Sequence, residues 1–191
     1  MVMSTPNHDA VKKNYVTINK DGVVKVFSQG PAQSHRFKRE VNALKRLTGI
    51  EGIPALLSYS PTHRRIVIAR IPGAPLSVTD NVPDKAFIQL RTIVEDMLDC
   101  GVARHSLPAR DVIVAQGGAV GLVDFERCSL RHCRFGPLWW IARKVARFNL
   151  LRLIDSYAPH LLTQAEHRTL RGQYHLQSLF HCVKYRHRRA S

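Results

Sequence analysis

The chain has 191 residues, 45% of them hydrophobic, enough to bury a core as one domain or as two small lobes sharing an interface, which excludes a disordered tail. Twenty-nine Lys and Arg against fourteen Asp and Glu give a formal net charge of +15, so the expected partners are polyanions: nucleic acid, anionic lipid headgroups or phosphorylated substrates. Cys100, Cys128, Cys133 and Cys182 are too few for a stapled scaffold, nothing at the N-terminus reads as a secretory signal, and the apolar stretch Leu138 to Ile154 is broken by Arg143, Lys144, Arg147 and Arg152, so the expectation is a cytoplasmic protein with reduced thiols and no membrane span.

Residues 1–13 are polar and irregular. Beyond them, Tyr15-Val16-Thr17-Ile18 and Val23-Val24-Lys25-Val26-Phe27 flank Asn19-Lys20-Asp21-Gly22, and an Asp-Gly step between two β-rich runs predicts a hairpin. Phe37, Val41, Leu44 and Leu47 then recur at helical spacing among Arg36, Lys38, Arg39 and Lys45, predicting an amphipathic helix capped by Ser34 and ending near Gly49. Two strands, Ala55 to Tyr59 and Arg65 to Arg70, are expected next, followed by the breaker-rich connector Ile71-Pro72-Gly73-Ala74-Pro75. A second helix is predicted over Asp84 to Cys100, with Phe87, Leu90, Ile93, Val94, Met97 and Leu98 on its buried side. Short apolar strands, Val112 to Ala115 and Gly121 to Val123, flank the turn Gln116-Gly117-Gly118, and the remainder reads as helical.

Asp124 follows the apolar run Val120, Leu122, Val123. A buried strand ending in a carboxylate is one way to hold a divalent cation against a phosphate, because Mg²⁺ takes hard oxygen ligands and only one or two protein carboxylates beside the phosphates. Lys25 lies on a predicted strand and Glu40 on the helix after it. Between these regions stands Arg104-His105-Ser106-Leu107-Pro108-Ala109-Arg110-Asp111.

Taken in this order, the motifs resemble the protein-kinase-like fold, in a cut-down form similar to the small bacterial phosphotransferases that include lipopolysaccharide-core sugar kinases and the RIO-type kinases. The resemblance covers most of residues 15–155. It implies an α+β, reduced bilobal architecture: residues 1–71 as a β-rich N-lobe with one helix, and residues 72–191 as a mostly helical C-lobe carrying the catalytic loop and a metal-binding hairpin. It also implies that Lys25 contacts the phosphates of ATP and pairs with Glu40, and that Ile71-Pro72-Gly73 is the interlobe connector against which the adenine lies. Asp124 takes the place of the metal-binding Asp that opens the kinase D-F-G motif, here Asp124-Phe125-Glu126, and Asp111 the place of the second Mg²⁺ ligand, usually Asn.

The same frame puts Ser106 where the carboxylate base is expected, with His105 beside it as an alternative proton acceptor. A shifted register would make Asp111 the base and Gln116 the metal ligand, but it leaves no room for the strand that begins at Val112. No Gly-rich loop precedes Lys25, where only Asn19-Lys20-Asp21-Gly22 stands. The resemblance implies transfer of the γ-phosphate of ATP to a protein Ser/Thr or to a sugar or lipid-linked acceptor. The alternative is a pseudokinase serving as a binding module. A third class, a basic nucleic-acid-binding protein, rests on charge alone, and no nucleic-acid motif accompanies the basic tail Lys184 to Arg189. Trp139 and Trp140 with Arg143, Lys144 and Arg147 suit either a core helix or a peripheral contact with the anionic inner face of a membrane.

Overall fold

The computed structural model describes residues 15–19, 22–132 and 136–172. Its elements in chain order are β1 (Tyr15–Asn19), β2 (Gly22–Val26), α1 (Pro31–Arg46), β3 (Leu56–Ser60), β4 (Arg65–Ile68), β5 (Ala74–Pro75), α2 (Asp84–Asp99), β6 (Val102–Arg104), β7 (Val112–Val114), β8 (Val120–Leu122), β9 (Cys128–Leu130) and α3 (Pro137–Tyr157). A further helix, α4, covers residues 164–172.

The first four strands form one antiparallel sheet in the order β1-β2-β4-β3. Asn19 pairs with Gly22, so β1 and β2 form the hairpin that the sequence predicts. Side chains two apart on a strand share a face, which puts Lys25 and Phe27 together, the ammonium 5.0 Å from the ring centre. α1 packs Phe37, Val41 and Leu44 into the core, with Phe37 edge-on to Phe27 at 5.7 Å.

α1 begins one turn earlier than its periodicity suggests. Its start is Pro31, whose missing N–H costs nothing at the first helical position and whose φ is already helical. Ser34 therefore does not cap the helix: it sits inside the first turn and donates its backbone N–H to the Gly30 carbonyl at 3.0 Å.

In the second half, α2 buries Ala86, Phe87, Leu90, Ile93, Val94, Met97 and Leu98. Two small antiparallel sheets lie beside it, β5-β7-β8 and β6-β9. β5, β6 and β9 carry no sequence signal, since strands of two or three residues show no period-two pattern. β9 is the larger departure, because the chain after Asp124 was expected to be helical. Pairing of Arg104 with Cys128 fastens the segment before Ser106 to the segment after Asp124.

The connector approaches this region closely. Gly73 has φ +128, and a Cβ there would stand 2.3 Å from the Val114 carbonyl oxygen, so only glycine fits. α3 buries Trp139, Ala146, Phe148, Leu150, Leu153 and Ile154 but exposes Leu138, Trp140 and Ile141 at its start. Among the described residues no helix is long and apolar enough to cross a membrane. The basic tail and two of the cysteines, Cys133 and Cys182, lie outside the described residues.

Candidate active site

β2 aims Lys25 at α1, and α1 presents Glu40 from its buried face. Lys25 Nζ donates to Glu40 Oε2 at 2.8 Å, and Glu40 is 1% exposed. The loop leaving β8 brings two more carboxylates to the same ammonium, with Asp124 Oδ1 at 2.8 Å and Glu126 Oε2 at 3.4 Å. Arg36, from α1, reaches Glu126 Oε1 at 3.5 Å. Asp124 has φ +67, a left-handed conformation that Asp tolerates better than most residues. It lets the chain turn so that Phe125 enters the core while Asp124 and Glu126 stay with Lys25.

The charges account for the titration. Burial works against the Lys25 ammonium, but Glu40 and Asp124 reverse that and push its pKa above the ordinary lysine value. Burial raises the pKa of Glu40, and Lys25 only partly offsets it, so the net direction is upward. Burial also opposes the charged form of Asp124, yet the nearby Lys25 and Arg104 bring it below the ordinary carboxylate range. Asp124 is the most accessible of the three acids, its side chain 43% exposed, with one oxygen engaged by Lys25.

Asp111 is placed differently. Arg104, itself buried, donates from Nη2 to Asp111 Oδ2 and from Nη1 to the Val123 carbonyl at 2.8 Å. Val123 N–H in turn donates to the Asp111 carbonyl at 3.0 Å. Arg104 thus ties Asp111 to the residue before Asp124, with its guanidinium 5.5 Å from the centre of the Phe125 ring. Burial raises the pKa of Asp111, Arg104 opposes, and Asp124 adds to the rise, so the two carboxylates feel each other. The acidic groups close enough to share one ion among the described residues are nevertheless Glu40, Asp124 and Glu126, with ligand oxygens within 4.8 Å of one another. Asp111 stands outside that group.

Ser106 is exposed on the loop after β6. His105 Nε2 lies 2.9 Å from Ser129 Oγ, and its pKa is lowered by burial and by Arg39, so the ring is neutral near pH 7. Gln116 falls in the turn beyond β7, at the far end of that strand from Asp111.

A cleft of about 490 Å³ opens beside the ion cluster. Val16, Ile18, Val23, Ile68 and Ile113 give it apolar walls, Ile71 and Gly73 bring in the connector, and Lys25, Asp124 and Glu126 form its polar end. A pocket of this size, mostly apolar with a few convergent polar groups, suits a small organic ligand. Its charged end suits Mg²⁺ and phosphate, because Asp124 keeps an accessible oxygen and Lys25 is a held cation.

No protein-family model and no curated protein matches this chain in sequence. In three dimensions it is similar to the Rio2 kinase of Chaetomium thermophilum, solved as an ADP/Mg²⁺-phosphoaspartate complex, with a TM-score of 0.57 at 11% sequence identity, covering 78% of this chain and 56% of that one. The chain has a protein-kinase-like fold, reduced and of α+β class, and spans little more than half the length of that kinase chain.

Arg104 and Glu126 are the residues for which sequence reasoning found no role. Both left a signal: an arginine inside the buried run Val102-Ala103-Arg104 needs a partner, and Glu126 is a second carboxylate only two positions beyond Asp124.

Proposed function

We propose that the protein is a kinase-like phosphotransferase that binds ATP in the cleft between connector and sheet and passes its γ-phosphate to a hydroxyl. The observation that carries this is Lys25, fixed at 2.8 Å from both Glu40 and Asp124 at the polar end of the cleft. Phosphoryl transfer needs little covalent help from a protein and depends mainly on positioning and on cations that offset phosphate charge. Lys25, oriented by Glu40, donates to phosphate oxygens. Asp124 holds Mg²⁺ through its accessible oxygen, with Glu126 beside it, and Asp111 takes part through its charge while Arg104 sets its position. Mg²⁺ held there would supply positive charge to offset that of the phosphates. Ile71 covers the base, and the lobes divide after residue 71.

Ser106 orients the acceptor hydroxyl in this scheme, and His105, neutral near pH 7, is the nearby group able to take its proton. A missing carboxylate base removes roughly 10²–10⁴ in rate, which leaves a slow enzyme. Resemblance to the lipopolysaccharide-core and RIO-type kinases supports a sugar, lipid-linked or protein acceptor. Leu138, Trp140 and Ile141, exposed beside Lys144, support docking of α3 on an anionic membrane at its cytoplasmic face.

Melting followed with and without ATP and Mg²⁺ tests the nucleotide claim. The wild type gains stability with ligand and Lys25→Met does not; no gain in wild type contradicts it. One feature favours a second function, a catalytically impaired binding module: the base position holds an uncharged Ser106. ATP binding without transfer to any protein or membrane-extract acceptor would select that function.

A further inference from the structure

An ammonium has three N–H donors, and around Lys25 three carboxylate oxygens match them. Glu40 Oε2 and Asp124 Oδ1 lie at 2.8 Å and Glu126 Oε2 at 3.4 Å. Lys25 is itself buried, so these acids and not water are its partners. In this arrangement no donor is left over for a phosphate oxygen.

The three acids are not equivalent. Glu40, on the inner face of α1, is the fixed partner of Lys25. Glu126 is shared, because its other oxygen, Oε1, has Arg36 at 3.5 Å and Arg127 at 3.9 Å. Asp124 has Lys25 as its ion-pair partner among the described residues, and Arg104 is taken by Asp111. Arg70 also lines the cleft, but beside Ile71 at the connector end.

The polar end of the cleft is therefore not built for a bare polyanion, although the whole chain carries a net charge of +15. Lys25 can turn to the phosphates of metal-free ATP only by leaving Asp124, whose carboxylate then faces their oxygens, a costly like-charge contact. Asp124 in turn offers a divalent cation an oxygen that Lys25 already holds. With both ligands present, Asp124 exchanges Lys25 for the cation while Lys25 exchanges Asp124 for phosphate, and neither charge is left unpaired.

We propose that the Lys25–Asp124 ion pair makes the cleft selective for a metal-complexed nucleotide and against metal-free polyphosphates, with Asp124 as the specificity-determining residue. Rejection comes from a charge left unpaired by the wrong ligand. Selectivity of this kind rests on the nucleotide binding proposed above, but the two fail on different results. Because binding free energies couple reciprocally, removing the Asp124 charge strengthens metal-free binding while it removes the dependence on metal. A residue that did nothing but ligate the metal would leave metal-free binding unchanged.

Calorimetric titration of wild type and Asp124→Asn with ATP, in excess Mg²⁺ and in EDTA, tests this. Wild type binds about tenfold tighter in Mg²⁺ than in EDTA. Asp124→Asn binds ATP in EDTA about tenfold tighter than wild type does and gains little from Mg²⁺. Glu51→Gln removes a negative charge from an exposed site outside the cleft and leaves metal-free binding as in wild type, which excludes a general effect of net charge. No tighter metal-free binding in Asp124→Asn, or the same gain in Glu51→Gln, overturns the proposal. Wild type alone decides should the variant not fold, since equal ATP affinity in Mg²⁺ and EDTA overturns it too. Wild type that binds ATP in neither condition removes the nucleotide function, and the selectivity with it.

Discussion

Lys25 is the residue on which most of the site's electrostatics converge. It offsets Glu40, Asp124 and Glu126, and Glu40 is buried to 1% exposure. Removing one partner of a buried pair leaves an uncompensated charge and costs about 3 kcal/mol or more. Glu40 then relieves the cost by taking a proton, since burial already raises its pKa. A carboxyl group whose folded pKa exceeds its unfolded value of about 4.3 contributes stability that is present at low pH and is lost as pH rises through the folded pKa. Lys25→Met should therefore be most destabilised relative to wild type at neutral to alkaline pH and should recover ground as the pH is lowered. Urea unfolding of both proteins across that range checks this, and a deficit independent of pH would show that Glu40 is not the group left charged. Lys25 and Glu40 were picked out in the sequence by their match to the kinase motifs, and the structure brings them to 2.8 Å of each other. Arg104 as the partner of Asp111 was not, because an arginine on a three-residue strand gives no pattern that says which way it points.

Among the elements, the hairpin, α1 and α2 were readable because each is long enough to repeat its own period. Phe37, Val41 and Leu44 fixed the inner face of α1, and with it the direction of Glu40. The capping expectation at Ser34 failed because Pro31 can start a helix without a side-chain cap, and the start was judged from the polar residue instead. The β6-β9 pair was hidden because a short strand is held by its partner, which only the fold supplies. The connector gives the sharpest element-scale test. A Cβ on Gly73 meets backbone of β7, which cannot rotate aside as a side chain can, and φ +128 is strained for any other residue. Gly73→Ala should cost about 2 kcal/mol or more, read as a lowered denaturant midpoint, and should weaken ATP binding because the connector lines the cleft. Unchanged stability would mean that β5 and β7 separate easily.

At the scale of the molecule, composition offers no means of locating the +15 charge, since polyanion attraction has the same composition whether the partner is nucleic acid, lipid or phosphate. The fold divides that charge. Lys25 and Arg104 are paired with the buried carboxylates of Glu40 and Asp111, whereas most of the other basic side chains among the described residues lie at the surface. A three-dimensional likeness to a kinase at 11% identity shows the fold alone, so activity has to be sought in the side chains that line the cleft. Asp124 is the one among them with an accessible oxygen for a cation, and Asn keeps its shape and its tolerance of left-handed backbone while removing its charge. The decisive measurement is Mg²⁺-dependent ATP consumption by wild type and Asp124→Asn, with cytosolic and cell-envelope fractions supplied separately as acceptors. Turnover in wild type with at least one fraction, lost in Asp124→Asn, is the predicted result; equal turnover in the two proteins would contradict phosphoryl transfer at this site.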